Sequence, residues 1–188
     1  KTAEITMDCP PLQQIQFECY GDIPPPYTDF AEYVDAGGTA SSSCGIDTST
    51  FVLASQLEDG NCPKTVTRRY TIQDSCGHIL DCSQIIIVDD QTPPVMDCPP
   101  DMTIYPGETT PKPYTSYLEF VTAGGSAWDN CGLVETSFRI AGEIRDGEHP
   151  QIITRTYEIK DSCDLPASCE QIITVYDDDT FGDIVNNQ

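Results

Sequence analysis

The chain has 188 residues, with 31 acidic and 9 basic side chains and a formal net charge of −22. That charge argues strongly against polyanionic partners, nucleic acid and anionic membrane alike. No run of about 18 apolar residues is present, so membrane insertion is not expected. The first residue is Lys1, which reads as a piece of something longer or a mature form.

The sequence repeats itself. Met7-Asp8-Cys9-Pro10-Pro11 recurs as Met96-Asp97-Cys98-Pro99-Pro100. Pro26-Tyr27-Thr28 recurs as Pro113-Tyr114-Thr115, Ala36-Gly37-Gly38 as Ala123-Gly124-Gly125, and Cys44-Gly45 as Cys131-Gly132. The 24 residues Thr65 to Val88 align without gaps on Ile152 to Val175, twelve of them identical. The organisation predicted is repeat 1 over 1–91, repeat 2 over 92–180 and a linker to a following repeat over 181–188. Units of this size suit a small β-sandwich, and duplicated units suit arrays that supply length or valency.

Taken along each unit, the first patterned segment has a helical period. Tyr27, Phe30, Ala31 and Val34, with their copies Tyr114, Tyr117, Leu118 and Val121, fall at i, i+3, i+4, i+7. A Gly-Gly pair follows each, so a short amphipathic helical turn with a glycine stop is expected. Further on, Val66, Tyr70 and Ile72 alternate with Thr67, Arg69 and Thr71, as Ile153, Tyr157 and Ile159 do with Thr154, Thr156 and Glu158. This is a strand with one wet face. Arg68 and Arg155 fall on the apolar parity, and are expected at the rim with stems packed and heads in water. The β-branched runs Gln84–Val88 and Gln171–Val175 complete a hairpin with a long loop. The fold class is therefore all-β: two tandem Greek-key sandwiches, each with a short helical turn.

Ten cysteines divide evenly between the units, six and four. Without a Cys-x-x-Cys pair, and with His78 and His149 at no ligand-like spacing, zinc is disfavoured and disulfides in an oxidising compartment are expected. Strand topology suggests Cys9–Cys82, Cys44–Cys76 and Cys19–Cys62 in unit 1, and Cys98–Cys169 and Cys131–Cys163 in unit 2. The rival is a hairpin bridge Cys76–Cys82 that leaves Cys9–Cys44. Each bridge contributes about 2–4 kcal/mol, which matters in so small a unit.

Acidic clusters are the candidate sites. Asp89 and Asp90 stand where the repeats join, with Asp177 and Asp178 as the copy at the chain end. Glu58 and Asp59 precede the penultimate strand of unit 1. Asp129, Asn130 and Asp161 belong to loops expected at the facing pole of unit 2. Adjacent carboxylates at a junction are costly unless neutralised, and a hard cation with six to eight oxygen ligands would do so, so calcium is the expected cofactor. The plainer account is solvated acidic turns, with Asp74 and Asp161 as Asx-turn acceptors. Trp128, the single tryptophan, reads as a loop residue that either caps the core or forms an exposed sugar-stacking platform. No nucleophile, phosphate-loop or zinc-protease motif occurs, and no enzyme activity is expected.

The pattern Thr-Arg-x-Tyr-x-Ile-x-Asp-Ser-Cys…Cys-x-Gln-Ile-Ile-x-Val-x-Asp, with Thr92-Pro93-Pro94-Val95 before Asp97-Cys98-Pro99, resembles the HYR (hyalin repeat) group of immunoglobulin-like modules. The Ala-Gly-Gly…Cys-Gly stretch looks like the tandem repeats of the SprB-type gliding-motility adhesins of Bacteroidota. Asp-Ser-Cys-Gly-His at 74–78 and Asp-Ser-Cys-Asp-Leu at 161–165 depart from the commoner Asp-x-Cys-Gly-Asn. The resemblance covers about residues 5–180. It implies an extracellular, outer-membrane-associated filament of immunoglobulin-like repeats that grips a substratum. Its expected partners are neighbouring repeats of the same chain and surface polysaccharide or substratum, with this fragment monomeric. The alternatives are a carbohydrate- or protein-binding module using Trp128, or a non-catalytic tail repeat of a secreted enzyme.

Overall fold

Alternation builds the central strand of each unit. The computed structural model describes residues 5–12 and 16–177, and the chain divides into two units, Lys1–Asp90 and Gln91–Gln188. In β5 (Lys64–Asp74) every second residue from Val66 is buried, and in β11 (Gln151–Asp161) every second residue from Ile153. Val66, Tyr70, Ile72, Ile153, Tyr157 and Ile159 are wholly inaccessible. The linker expected over 181–188 lies outside the described residues.

Unit 1 continues this strand into β6 (Ile79–Val88), and β4 (Ile46–Gly60) lies on its other side. Both pairings are antiparallel, and β2 (Gln16–Phe17) adds in parallel on β6. The order is β2-β6-β5-β4, with β1 (Thr6–Asp8) and β3 (Thr39–Ser41) as a separate antiparallel pair. Unit 2 repeats the plan. Its four-stranded sheet is β10 (Leu133–Asp146), β11, β12 (Pro166–Val175) and β8 (Met102–Ile104), and its pair is β7 (Val95–Asp97) with β9 (Ser126–Trp128). The result is an immunoglobulin-like, all-β architecture in two copies.

Helices α1 (Phe30–Asp35) and α2 (Tyr117–Thr122) stand at the expected places. Asp29 Oδ1 caps the first by accepting from Glu32 N–H at 2.9 Å, and Ser116 Oγ caps the second by accepting from Glu119 N–H at 3.2 Å. The buried face differs from the expected one. Tyr33 and Phe120 are fully buried, whereas Val34, Leu118 and Val121 are exposed. A six-residue helix makes fewer than two turns, so its packing is decided by one deep aromatic ring and not by a stripe. That ring explains the Gly-Gly motif. Gly37 and Gly124 take left-handed φ values of +99° and +98° as helix stops. A Cβ on Gly38 or Gly125 would collide with the ring of Tyr33 or Phe120.

Around these rings the cores assemble. Tyr33 contacts Phe51 at 5.1 Å between centroids, and Phe51 stacks on Tyr70 at 5.6 Å. Phe120, Phe138 and Tyr157 repeat the cluster at 5.0 and 5.8 Å. The Tyr33 hydroxyl donates to the Asp8 carbonyl at 2.5 Å, and burial pushes its pKa up to about 12.

Arg68 and Arg155 are not at the rim. They are 6% and 2% exposed. Strand pairing sets Gln56 opposite Arg68 and Glu143 opposite Arg155, so each guanidinium finds a partner on its own face. Arg68 Nε donates to Gln56 Oε1 at 3.0 Å. Arg155 Nε donates to Glu143 Oε2 at 2.8 Å, and its Nη2 to the Pro111 carbonyl at 2.7 Å. With polar partners supplied inside, the head has no need of water. The Arg155 pairing also holds the Glu143 carboxyl below its usual range.

Three substitutions check this account. Glu143→Gln copies the arrangement of unit 1 and should change the unfolding midpoint little, whereas Glu143→Ala strands a buried cation and should cost about 2–3 kcal/mol in chemical denaturation. Gly125→Ala should destabilise by roughly 1–3 kcal/mol through overpacking against Phe120.

Candidate functional site

Disulfides bring the acidic loops to fixed places. Cys9 bonds Cys82, Cys44 bonds Cys76 and Cys98 bonds Cys169. The rival hairpin bridge Cys76–Cys82 is therefore excluded. Cys19 and Cys62 in unit 1, and Cys131 and Cys163 in unit 2, are also disulfide-bonded, and no cysteine is free.

At the end of β5 the chain turns back over Asp74, which is 3% exposed. Its Oδ1 accepts from the N–H groups of Cys76 and His78, both at 2.9 Å, as an Asx turn does. Its Oδ2 accepts from Ser42 Oγ at 2.7 Å and lies 2.9 Å from His78 Nδ1. Ser42 Oγ also accepts from Cys44 N–H at 3.2 Å. Every acceptor direction of this carboxylate is thereby used. The Ser42 hydroxyl foremost, then the side chain and N–H of His78 and the N–H of Cys76, hold the Asp74 carboxyl well below the usual carboxylate range against the opposing effect of burial. Cys44, Asp74 and Cys76 cluster as metal ligands would. Both sulfurs are already spent in a disulfide, so this cluster is a structural knot.

The equivalent place in unit 2 has different chemistry. Asp161 Oδ1 accepts from Cys163 N–H at 2.7 Å and Leu165 N–H at 2.9 Å. Asp129 occupies the position of Ser42, and its Oδ1 accepts from Cys131 N–H and Gly132 N–H, both at 2.8 Å. The second oxygen of each, Asp129 Oδ2 and Asp161 Oδ2, is buried without a hydrogen-bond partner. The sequence carried a signal for this: aligning the two units sets Ser42 against Asp129 and His78 against Leu165.

Glu58 is engaged by the Tyr20 hydroxyl and by Lys64 Nζ at 3.2 Å, and Asp59 is exposed on the same strand. Asp89 sits just past β6, its N–H donating to the Phe17 carbonyl at 2.8 Å, and the neighbouring Asp90 is buried. Asp177 Oδ2 meets the His149 ring at Nδ1. Asp178 lies outside the described residues. Asn130, flanking Asp129, donates to Cys131 Sγ at 3.2 Å. Trp128 is in strand β9 rather than a loop, paired with Val95, and the two side chains are 66% and 61% exposed. Pairing with β7 fixes the backbone at Trp128 and leaves its indole in water.

Among the described residues no helix is long and apolar enough to cross a membrane. Five disulfides accord with an extracellular or otherwise oxidising environment. No protein-family model matches the chain, and no curated protein matches it.

The Asp74 geometry predicts an acid-linked stability in unit 1. A carboxyl depressed by folding stabilises above its unfolded value of about 3.9, and that contribution is lost as pH falls through the folded value. Ser42→Ala should therefore lower the thermal midpoint at neutral pH, and the gap from the parent should narrow only below about pH 4. Thermal scans over a pH series will measure it.

Proposed function

We propose that the chain is a pair of structural repeats from a long secreted surface filament, stiffened by disulfides, of the adhesive kind that the resemblance to gliding-motility repeats suggests. Its role in this proposal is mechanical and non-catalytic. Neighbouring repeats and a surface polysaccharide or substratum are its partners.

One observation carries the proposal. Cys9 in the first strand region is bonded to Cys82 in the last strand, 73 residues on, and Cys98 to Cys169, 71 residues on. Tension along the chain enters unit 1 near Cys9, crosses the disulfide and leaves from Cys82. Nearly all the intervening chain is outside that path and cannot be drawn out. The same holds in unit 2. A repeat so bridged transmits pull without lengthening, which suits a filament and is of no use to turnover. The charge of −22 keeps parallel copies apart by mutual repulsion.

A second reading is favoured by the exposed Trp128 and Val95 pair. An exposed indole on a short paired strand stacks well on a sugar ring or a partner's apolar side chain. On this reading Trp128→Ala abolishes glycan-array or pull-down binding and leaves the thermal midpoint unchanged.

Single-molecule stretching tests the first proposal. The oxidised chain should show almost no added length on unfolding. After reduction, each unit should release about 250 Å, the extended length of the 73 or 71 freed residues. Full-length extension of the oxidised chain would refute the mechanical role.

A further inference from the structure

We infer that Asp129 and Asp161 of unit 2 form a carboxylate pair that holds a divalent cation of the calcium class, in a site that unit 1 lacks. The duplication supplies an internal comparison. In unit 1 the oxygen Asp74 Oδ2 is supplied by the Ser42 hydroxyl and by His78 Nδ1. In unit 2 both donors are gone. The serine position is Asp129 and the histidine position is Leu165. Asp161 has lost both side-chain donors, and the residue in the serine's place is itself a carboxylate.

The register of the two loops is the same in both units. Leu133 opposes Asp161 in the β10–β11 pairing as Ile46 opposes Asp74 in β4–β5. Asp129 accepts from the N–H of Cys131 as Ser42 accepts from that of Cys44. The turn N–H groups occupy Oδ1 of each aspartate and so fix both side chains. What remains is Asp129 Oδ2 and Asp161 Oδ2, each buried and each without a hydrogen-bond donor. The two residues are 8% and 1% exposed, and neither pairs with a lysine or arginine among the described residues. Two buried carboxylates with unmet oxygens are a large electrostatic cost in a native fold.

A cation removes that cost. The donor set is oxygen only, because Cys131 and Cys163 are disulfide-bonded. Oxygen donors select a hard cation, with waters and main-chain carbonyls completing the shell. Trp128 and Asn130, on either side of Asp129, are exposed, which leaves the loop open to solvent for entry of the ion.

The test uses the whole chain, stripped with chelator. Terbium, a calcium substitute, should give luminescence sensitised by Trp128, the only tryptophan, and calcium should quench it by displacement. Calcium should also raise the thermal midpoint. Asp129→Ser rebuilds the hydroxyl of unit 1 and should abolish the sensitised emission while the metal-free variant unfolds at a higher temperature than the metal-free parent. Should that variant fail to fold, Asp129→Asn must lose the emission in its place. Emission that survives in a folded variant would overturn the proposal. So would a parent that ignores calcium and becomes more stable in acid, which would mark a shared proton between the two carboxylates.

Discussion

The bond between the first and last strands of each unit is the constraint on which the rest of the structure depends. Cys9 and Cys82 pack against the aromatic core of unit 1, and Cys98 and Cys169 against that of unit 2. The Tyr33 hydroxyl lies 3.4 Å from Cys82 Sγ. The bridge is therefore both a covalent tie and part of the packed interior. A unit near 90 residues buries too little apolar surface to be secure by packing alone. Closing a loop of 73 residues removes much of the entropy of its unfolded chain, an effect of about 4 kcal/mol. Because the tie joins the two ends, in the proposed mechanical role it also defines which part of the chain carries tension.

Duplication makes the chain a comparison of two solutions to the same packing problem. Tyr33 and Phe120 fill the same space, one with a hydroxyl that reaches a strand carbonyl and one without. Gln56 and Glu143 meet the same buried arginine, once as a neutral acceptor and once as an ion pair. Ser42 and Asp129 occupy the same position in the loop ahead of the aspartate that ends the central strand. The first two exchanges leave no side-chain oxygen of the exchanged residues buried and unsupplied. The third does, because a donor has been replaced by a charge of the same sign as its neighbour. In a low-dielectric loop that difference calls for a counter-charge.

In the proposed role, the covalent frame and the loops divide the work, and the disulfides set where force runs. The strands hold Trp128 and the acidic turns in place, and the loops are where the two units have diverged in chemistry. The expected acidic junction is only partly a set of equivalents. Glu58 and Asp177 are already engaged by basic side chains of their own units, Lys64 and His149, while Asp129 and Asp161 pair with no lysine or arginine among the described residues.

Much of the fold was legible because it rests on short-range regularities. Period-two alternation placed β5 and β11 and their buried faces. Repetition gave two units, and the glycine pairs gave the helix stops. The cysteine positions pointed to Cys9–Cys82, Cys44–Cys76 and Cys98–Cys169, though one rival pattern stayed open until the strands were placed. Tertiary structure alone decided what depends on groups far apart in sequence. It drew Arg68 and Arg155 inward, because their partners Gln56 and Glu143 come from the neighbouring strand. It turned the helices about Tyr33 and Phe120 rather than the apolar stripe, because each ring must pack on Phe51 or Phe138. It left Asp129 and Asp161 each with an unsupplied oxygen, because a carboxylate's hydrogen bonds are settled by which loops a fold brings to it, and sequence spacing carries no measure of that.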